Sequence, residues 1–171
     1  MDPGNTVRIF AEQLAATPLS LWLQVHLWVV PTSQSLHIAA LSVVYASALL
    51  ISLRLLGVSK RGRPVGTLVS TLTPFMYGAL VVLLFTGAIQ TIAEPLRQFV
   101  TPAFWWKMSM LIVIVVCTII FDRTVRRHSE RWSEPGAHPP WARWFALMSI
   151  ALWTGIVICG RLIGYTWEQH V

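Results

Sequence analysis

The 171-residue chain is 55% hydrophobic and only 12% charged, with nine Trp and a mean hydropathy of +0.62. A soluble domain carries about 25% charged residues, so this composition excludes an ordinary soluble enzyme and a disordered chain, and points to a membrane protein. The formal charge of +6 would suit nucleic acid, but the basic residues are placed as a topology signal, and no nucleic-acid role is expected.

Residues 1–33 form a segment of their own. Met1–Thr17 carries Asp2, Arg8 and Glu12 and lacks the basic-then-apolar pattern of a secretory signal. Leu19–Val30 is apolar but short, is interrupted by Gln24 and His26, and meets Pro31. It predicts an amphipathic helix lying in the interface, with Trp22 and Trp28 at headgroup level.

A membrane-crossing helix needs about 20 mostly apolar residues. Four segments qualify, at about 34–56, 68–93, 103–121 and 144–165. Pro74 is read in the first turns of the second span, where a missing N–H costs least. The third contains Lys107 and the fourth Arg161, with Gly164 as its C-terminal stop. The intervening stretch Ser129–Pro140 is polar and Pro-rich and reads as a surface loop. The expected fold is therefore all-α: one membrane domain over 1–171, a four-transmembrane-helix bundle with an N-terminal interfacial helix.

Lys and Arg in the loops set orientation. Arg54, Lys60, Arg61 and Arg63 mark the first loop, and Arg123, Arg126, Arg127, Arg131 and Arg143 the third. The second loop has Arg97 with Glu94 beside it. The first and third loops are expected in the cytoplasm and both termini outside. Trp105, Trp106 and Trp167 then fall at the outer boundary, and Trp132, Trp141 and Trp144 at the inner one. Trp153 lies mid-span. Cys117 and Cys159 sit at different depths in apolar runs and are not expected to pair.

Ionisable groups inside spans are expensive and need a reason. At about 1.5 Å rise per residue, His37, Gln90, Lys107 and Arg161 each lie about 4–6 Å below the outer end of their own span. Glu94 is one turn above Gln90 and Thr86 one turn below. Four helices thus contribute to one polar layer that a bundle can bring together. Taken singly, each residue has a plainer reading: Arg161 as a C-terminal dipole partner or snorkelling cation, Lys107 as another, Gln90 and Thr86 as interhelical hydrogen bonds, His37 as a satisfied structural group.

Several chemistries fit such a layer. Haem b takes axial histidines and cationic partners for its propionates: His37 as one ligand, His26 or Met108 as the other, Lys107 and Arg161 as the clamp. A quinone needs an apolar slot and donors to its carbonyl oxygens, which His37, Gln90, Arg161 and Trp105 can supply. Copper is a third candidate, on His26 and His37 with Met108 and Met110, although the two Met face different sides of a helix. Paired carboxylates and hydrolase motifs are absent; Asp and Glu number seven, and none is read as mid-span. Ser42, Ala46, Gly78 and Gly87 permit close helix packing, within or between chains.

The His37 start of span one, Arg54-Leu-Leu-Gly57, Thr86-Gly87 followed by Glu94, Phe104-x-x-Lys107 and Gly160-Arg-Leu-Ile-Gly-Tyr165 together resemble a bacterial family of small, uncharacterised four-span inner-membrane proteins, over roughly Leu19–Tyr165. The chain is more distantly similar to copper-resistance D-type membrane domains and cytochrome b561-like bundles. The resemblance implies an inner-membrane protein with His37, Lys107 and Arg161 on motif positions; Ser52 stands where members often carry an acid. The expectation is a membrane redox module that binds haem b or a quinone near the periplasmic face and relays electrons to a partner. The alternatives are a non-catalytic anchor or assembly subunit, contacting lipid headgroups, a protein partner or its own copies, and a copper-handling protein.

Overall fold

A computed structural model describes residues 3–58, 64–128, 132 and 139–167, and those residues are helices and short connections. Two short helices, α1 (Pro3–Ala15) and α2 (Pro18–Val25), precede the long α3 (Val29–Leu55) and α4 (Val65–Ala93). A five-residue α5 (Pro95–Phe99) leads into α6 (Pro102–Arg127), and α7 (Pro140–Trp167) closes the described chain. Helices α3, α4, α6 and α7 are long and apolar enough to cross a membrane.

Proline opens five of the seven helices, at Pro3, Pro18, Pro95, Pro102 and Pro140. Its fixed φ suits a first turn, and its missing N–H is one the helix does not use there. Thr17 caps α2 by accepting the Ser20 amide. The Arg54-Leu-Leu-Gly57 run is a helix stop: the Gly57 amide bonds the Arg54 carbonyl, the Val58 amide bonds the Leu53 carbonyl, and Gly57 adopts φ +77°, a left-handed conformation only glycine takes without strain.

Three boundaries differ from the sequence expectation. Pro31, expected to end an interfacial helix, sits in the first turn of α3, so the first span starts at Val29 and the preceding short helix stops at Val25. Pro74 is well inside α4, because that helix begins at Val65; a proline there is tolerated when neighbouring helices and hydroxyls support the freed carbonyl. Helix α6 runs past Phe121, where the third span was expected to end, to Arg127, which puts Asp122 inside the last turns of a helix and buries it.

Packing follows seams of small and medium residues. In α3 the buried positions are Ser33, Ala40, Val44, Ser47, Ala48, Ile51, Ser52 and Leu55; in α7 they are Ala142, Ala146, Ser149, Trp153, Ile156 and Ile163. Steps of three and four place each set on one face. In lipid there is no hydrophobic drive between helices, so close approach through Ala and Ser and the van der Waals contact it allows hold the bundle. Gly155 takes this furthest, for a Cβ there would lie 2.9 Å from the Met110 sulfur. Helix α3 packs most extensively on α4 and also on α7, and α7 packs on α6; α4 and α6 touch sparsely, leaving a seam.

Consecutive spans are antiparallel, so the start of α3, the end of α4, the start of α6 and the end of α7 lie at one end. Helices α1, α2 and α5 gather there too. Phe10 of α1 meets Phe99 of α5 edge-on at 5.6 Å, and the Ser20 hydroxyl of α2 donates to the Ile92 carbonyl of α4 at 2.7 Å. The opposite end holds an aromatic cluster: Phe121 stacks on Phe145 at 4.3 Å, with Trp132 and Trp141 edge-on around them. Most of the Ser129–Pro140 loop lies outside the described residues, but Trp132 is buried in this cluster rather than placed at a surface.

Candidate functional site: a polar pocket at the capped end

Thr86, one turn below Gln90 on α4, is the centre of the polar contacts between α3 and α4. Its hydroxyl donates to the Val82 carbonyl at 2.7 Å, which uses its only proton. The His37 Nδ1 lies 2.8 Å away and bonds the same Thr86 Oγ1. The Thr86 carbonyl accepts two further bonds at 3.2 Å, from the Ser33 hydroxyl and the Gln90 amide. The His37 ring lies against Gly87, whose Cβ would stand 3.5 Å from Cε1.

The earlier start of α3 changes the depth of His37. From Val29 it lies about 12 Å into the helix at about 1.5 Å per residue, so it levels with Thr86 rather than with Gln90. Gln34, one turn above, takes the level assigned to His37 from the sequence.

Above this layer is a cavity of about 70 Å³ lined by Val30, Gln34, Gln90, Glu94, Arg97, Gln98, Lys107, Gly160 and Ile163. A water needs about 10–15 Å³ of such space, so the cavity holds several waters or a small polar group. Its walls come from all four spans and from α5. Six of its nine lining residues are polar or charged, which is unusual for a pocket at the end of an apolar bundle.

The charges in it are unequal. Arg97 Nη1 donates to Glu94 Oε2 at 2.6 Å, while Arg97 Nε is buried without an acceptor. Lys107 is half-buried and has no hydrogen-bond or ion-pair partner among the described residues. Two cations and one carboxylate leave the pocket one positive charge in excess.

The candidates from the sequence divide accordingly. Lys107 and Gln90 line the cavity, and His37 lies in the hydrogen-bonded layer beneath. Arg161 is exposed on α7, donates to the Tyr165 hydroxyl at 3.2 Å, lies over that ring at 5.5 Å, and does not line the cavity. Gly164 does not stop α7, which continues to Trp167; it gives room instead, since its Cβ would stand 3.4 Å from Arg97 Nη2. Trp105 is half-exposed and donates to the Phe99 carbonyl at 3.0 Å, pinning α5 to α6. His26 stacks on Trp22 with ring centroids 4.2 Å apart, and its Nδ1 contacts the Trp22 carbonyl at 2.8 Å, so it is held on its own helix. Met108 is half-buried outside the cavity wall. Arg97, Gln34 and Gln98 were not selected from the sequence; the signal for Arg97 was its position three residues from Glu94 in a loop otherwise poor in charge.

At the other end, Asp122 accepts from Arg126 Nε at 2.9 and 3.0 Å and from the Tyr77 hydroxyl at 3.4 Å, which ties α6 to α4. Among the described residues no three His, Cys, Asp or Glu side chains group to hold a metal, and both cysteines are free thiols.

The chain matches the family of unknown function DUF6644 over residues 27–166, most of its length, and belongs to it. No curated protein and no solved structure matches it, and nothing extends the likeness to copper-resistance D-type or cytochrome b561-like domains.

Proposed function

We propose that this DUF6644 protein is a membrane-embedded binding module that takes a lipid-soluble molecule by its oxygen-bearing head group at the capped end of the bundle. The observation that carries the reading is Lys107: a half-buried cation on a small polar cavity, with no ion-pair partner among the described residues. A cation in that position is costly unless something supplies acceptor oxygens. The excess of Arg around the opposite end (Arg54, Arg123, Arg126, Arg127, Arg143) supports, by the positive-inside rule, a pocket on the periplasmic side of an inner membrane.

Haem b fits these residues poorly. A macrocycle needs a broad slot between helices and two axial ligands. The cavity beside Lys107 is about 70 Å³, and His26 is engaged on its own helix. A quinone is the second reading, and one feature favours it. The His37 imidazole can donate or accept and Lys107 donates, the functions a quinol and a quinone use in turn. In that reading the module passes electrons to a partner protein.

Organic extraction of the untagged, detergent-purified chain tests the proposal. The expected result is a co-purifying lipid or quinone at near one per chain, reduced in Gly160→Leu, with no stoichiometric b-type band in a reduced-minus-oxidised spectrum. A b-type band at one haem per chain that disappears in His37→Ala would overturn it.

A further inference from the structure

We infer that the capped-end pocket is an oxyanion site, in which Lys107 and Arg97 hold one phosphate-type group against a notch made by Gly160 and Gly164. The inference rests on the head-group reading and narrows it to a charged oxygen.

The two glycines are one turn apart and share a face of α7. At Gly164 the absent side chain is replaced by the Arg97 guanidinium, 3.4 Å from where a Cβ would be. At Gly160, which lines the cavity, a Cβ would meet nothing within 4 Å. One glycine thus seats the cation and the other leaves the space beside it open. Arg97 spends Nη1 on Glu94, yet its buried Nε has no acceptor. Lys107 likewise has none among the described residues. Two cationic side chains on one small cavity, only one of them paired with a carboxylate, call for a ligand rich in acceptors.

Charge selects the ligand further. Glu94 neutralises one of the two cations, and the remaining charge matches a singly charged oxyanion. A neutral carbonyl would satisfy hydrogen bonds but leave the charge. Gln34, Gln90 and Gln98 add amides at the rim, which suit the remaining oxygens of a tetrahedral group. Arg161, the cation of the Gly160–Gly164 motif, is exposed and stacked on Tyr165, so the motif contributes its glycines and not its charge. A phosphodiester of an anionic lipid and free phosphate share this chemistry, and the titrations below tell the two sources apart.

The test uses the full chain in lipid-free detergent micelles, titrated with short-chain phosphatidylglycerol, inorganic phosphate and a neutral quinone of matched chain length. Wild type is expected to bind phosphatidylglycerol saturably at one site. Lys107→Met and Gly160→Leu should each weaken it about tenfold or more, the size expected for losing a charge-assisted bond or the space for it. Arg161→Met should not. Helical circular dichroism and monodisperse elution identify folded variants, and Lys107→Gln replaces Lys107→Met if the latter fails them. Phosphate binding with the same variant pattern would keep the oxyanion site and assign it a soluble ligand. Quinone binding that depends on Lys107, with no phosphatidylglycerol binding, would overturn the oxyanion assignment and leave the head-group reading standing. Equal loss in Arg161→Met, or no effect of Gly160→Leu, would overturn both.

Discussion

Thr86 shows how one side chain can serve two partners. Its hydroxyl meets both the Val82 carbonyl and His37 Nδ1, and the His37–Thr86 bond joins α3 to α4. A double-mutant cycle of His37→Phe and Thr86→Val, read by thermal unfolding in detergent, should give a coupling of about 0.5–1.5 kcal/mol, the range for hydrogen bonds between membrane helices. Zero coupling would mean that the bond is not made. The same logic separates Lys107 from Arg161. Both are cations at similar heights, but Arg161 has an aromatic ring and a hydroxyl to rest on, and Lys107 has neither.

Among the elements, α6 is the least enclosed of the four spans, with Ile112, Val113, Val116 and Ile120 exposed on its surface. It is held at its ends. The Trp105–Phe99 bond secures the start, and the Asp122–Tyr77 contact and the aromatic cluster secure the finish. Trp132, 2% exposed, brings the third loop into that cluster, lying edge-on to Phe121 at 5.6 Å with Gly66 of α4 close to its Cβ. Trp132→Ala should lower unfolding stability by about 3–5 kcal/mol, as for other large buried aromatics, and raise protease cleavage between 128 and 140. A change below about 1 kcal/mol would show that the loop does not close the bundle. The pocket ligands should bind Trp132→Ala normally at temperatures where it stays folded, because the cluster is at the far end.

For the whole molecule, the short helices and the polar pocket occupy one end and the Arg-rich loops the other. This polarity predicts sidedness. In sealed inner-membrane vesicles and intact cells, a cysteine introduced at Ser35 in a Cys117→Ala/Cys159→Ala background should react with a membrane-impermeant thiol reagent from the periplasmic side. One at Arg127 should react only from the cytoplasmic side. The reverse pattern would place the pocket in the cytoplasm and remove a periplasmic partner from consideration.

Composition, span length and the loop cations were enough to read the four spans and the likelihood of a polar layer at one end, because burying charge in lipid is so costly that hydropathy alone marks where helices run. The RLLG stop was also visible, since a glycine after an apolar helix has few other uses. The membership of the pocket was not. A bundle apolar all round carries no periodicity that says which face turns inward, so rotation is settled only when Ala, Ser and Gly seams pack against one another. That packing set His37 against Thr86 instead of Gln90, turned Arg161 outward, and seated Arg97, a loop residue in the sequence, on Gly164. Helix ends were missed for a related reason: Pro31 and Asp122 look like terminators in isolation, but a proline in a first turn costs nothing and an acid beside Arg126 and Tyr77 is neutralised, and only the folded chain supplies those neighbours.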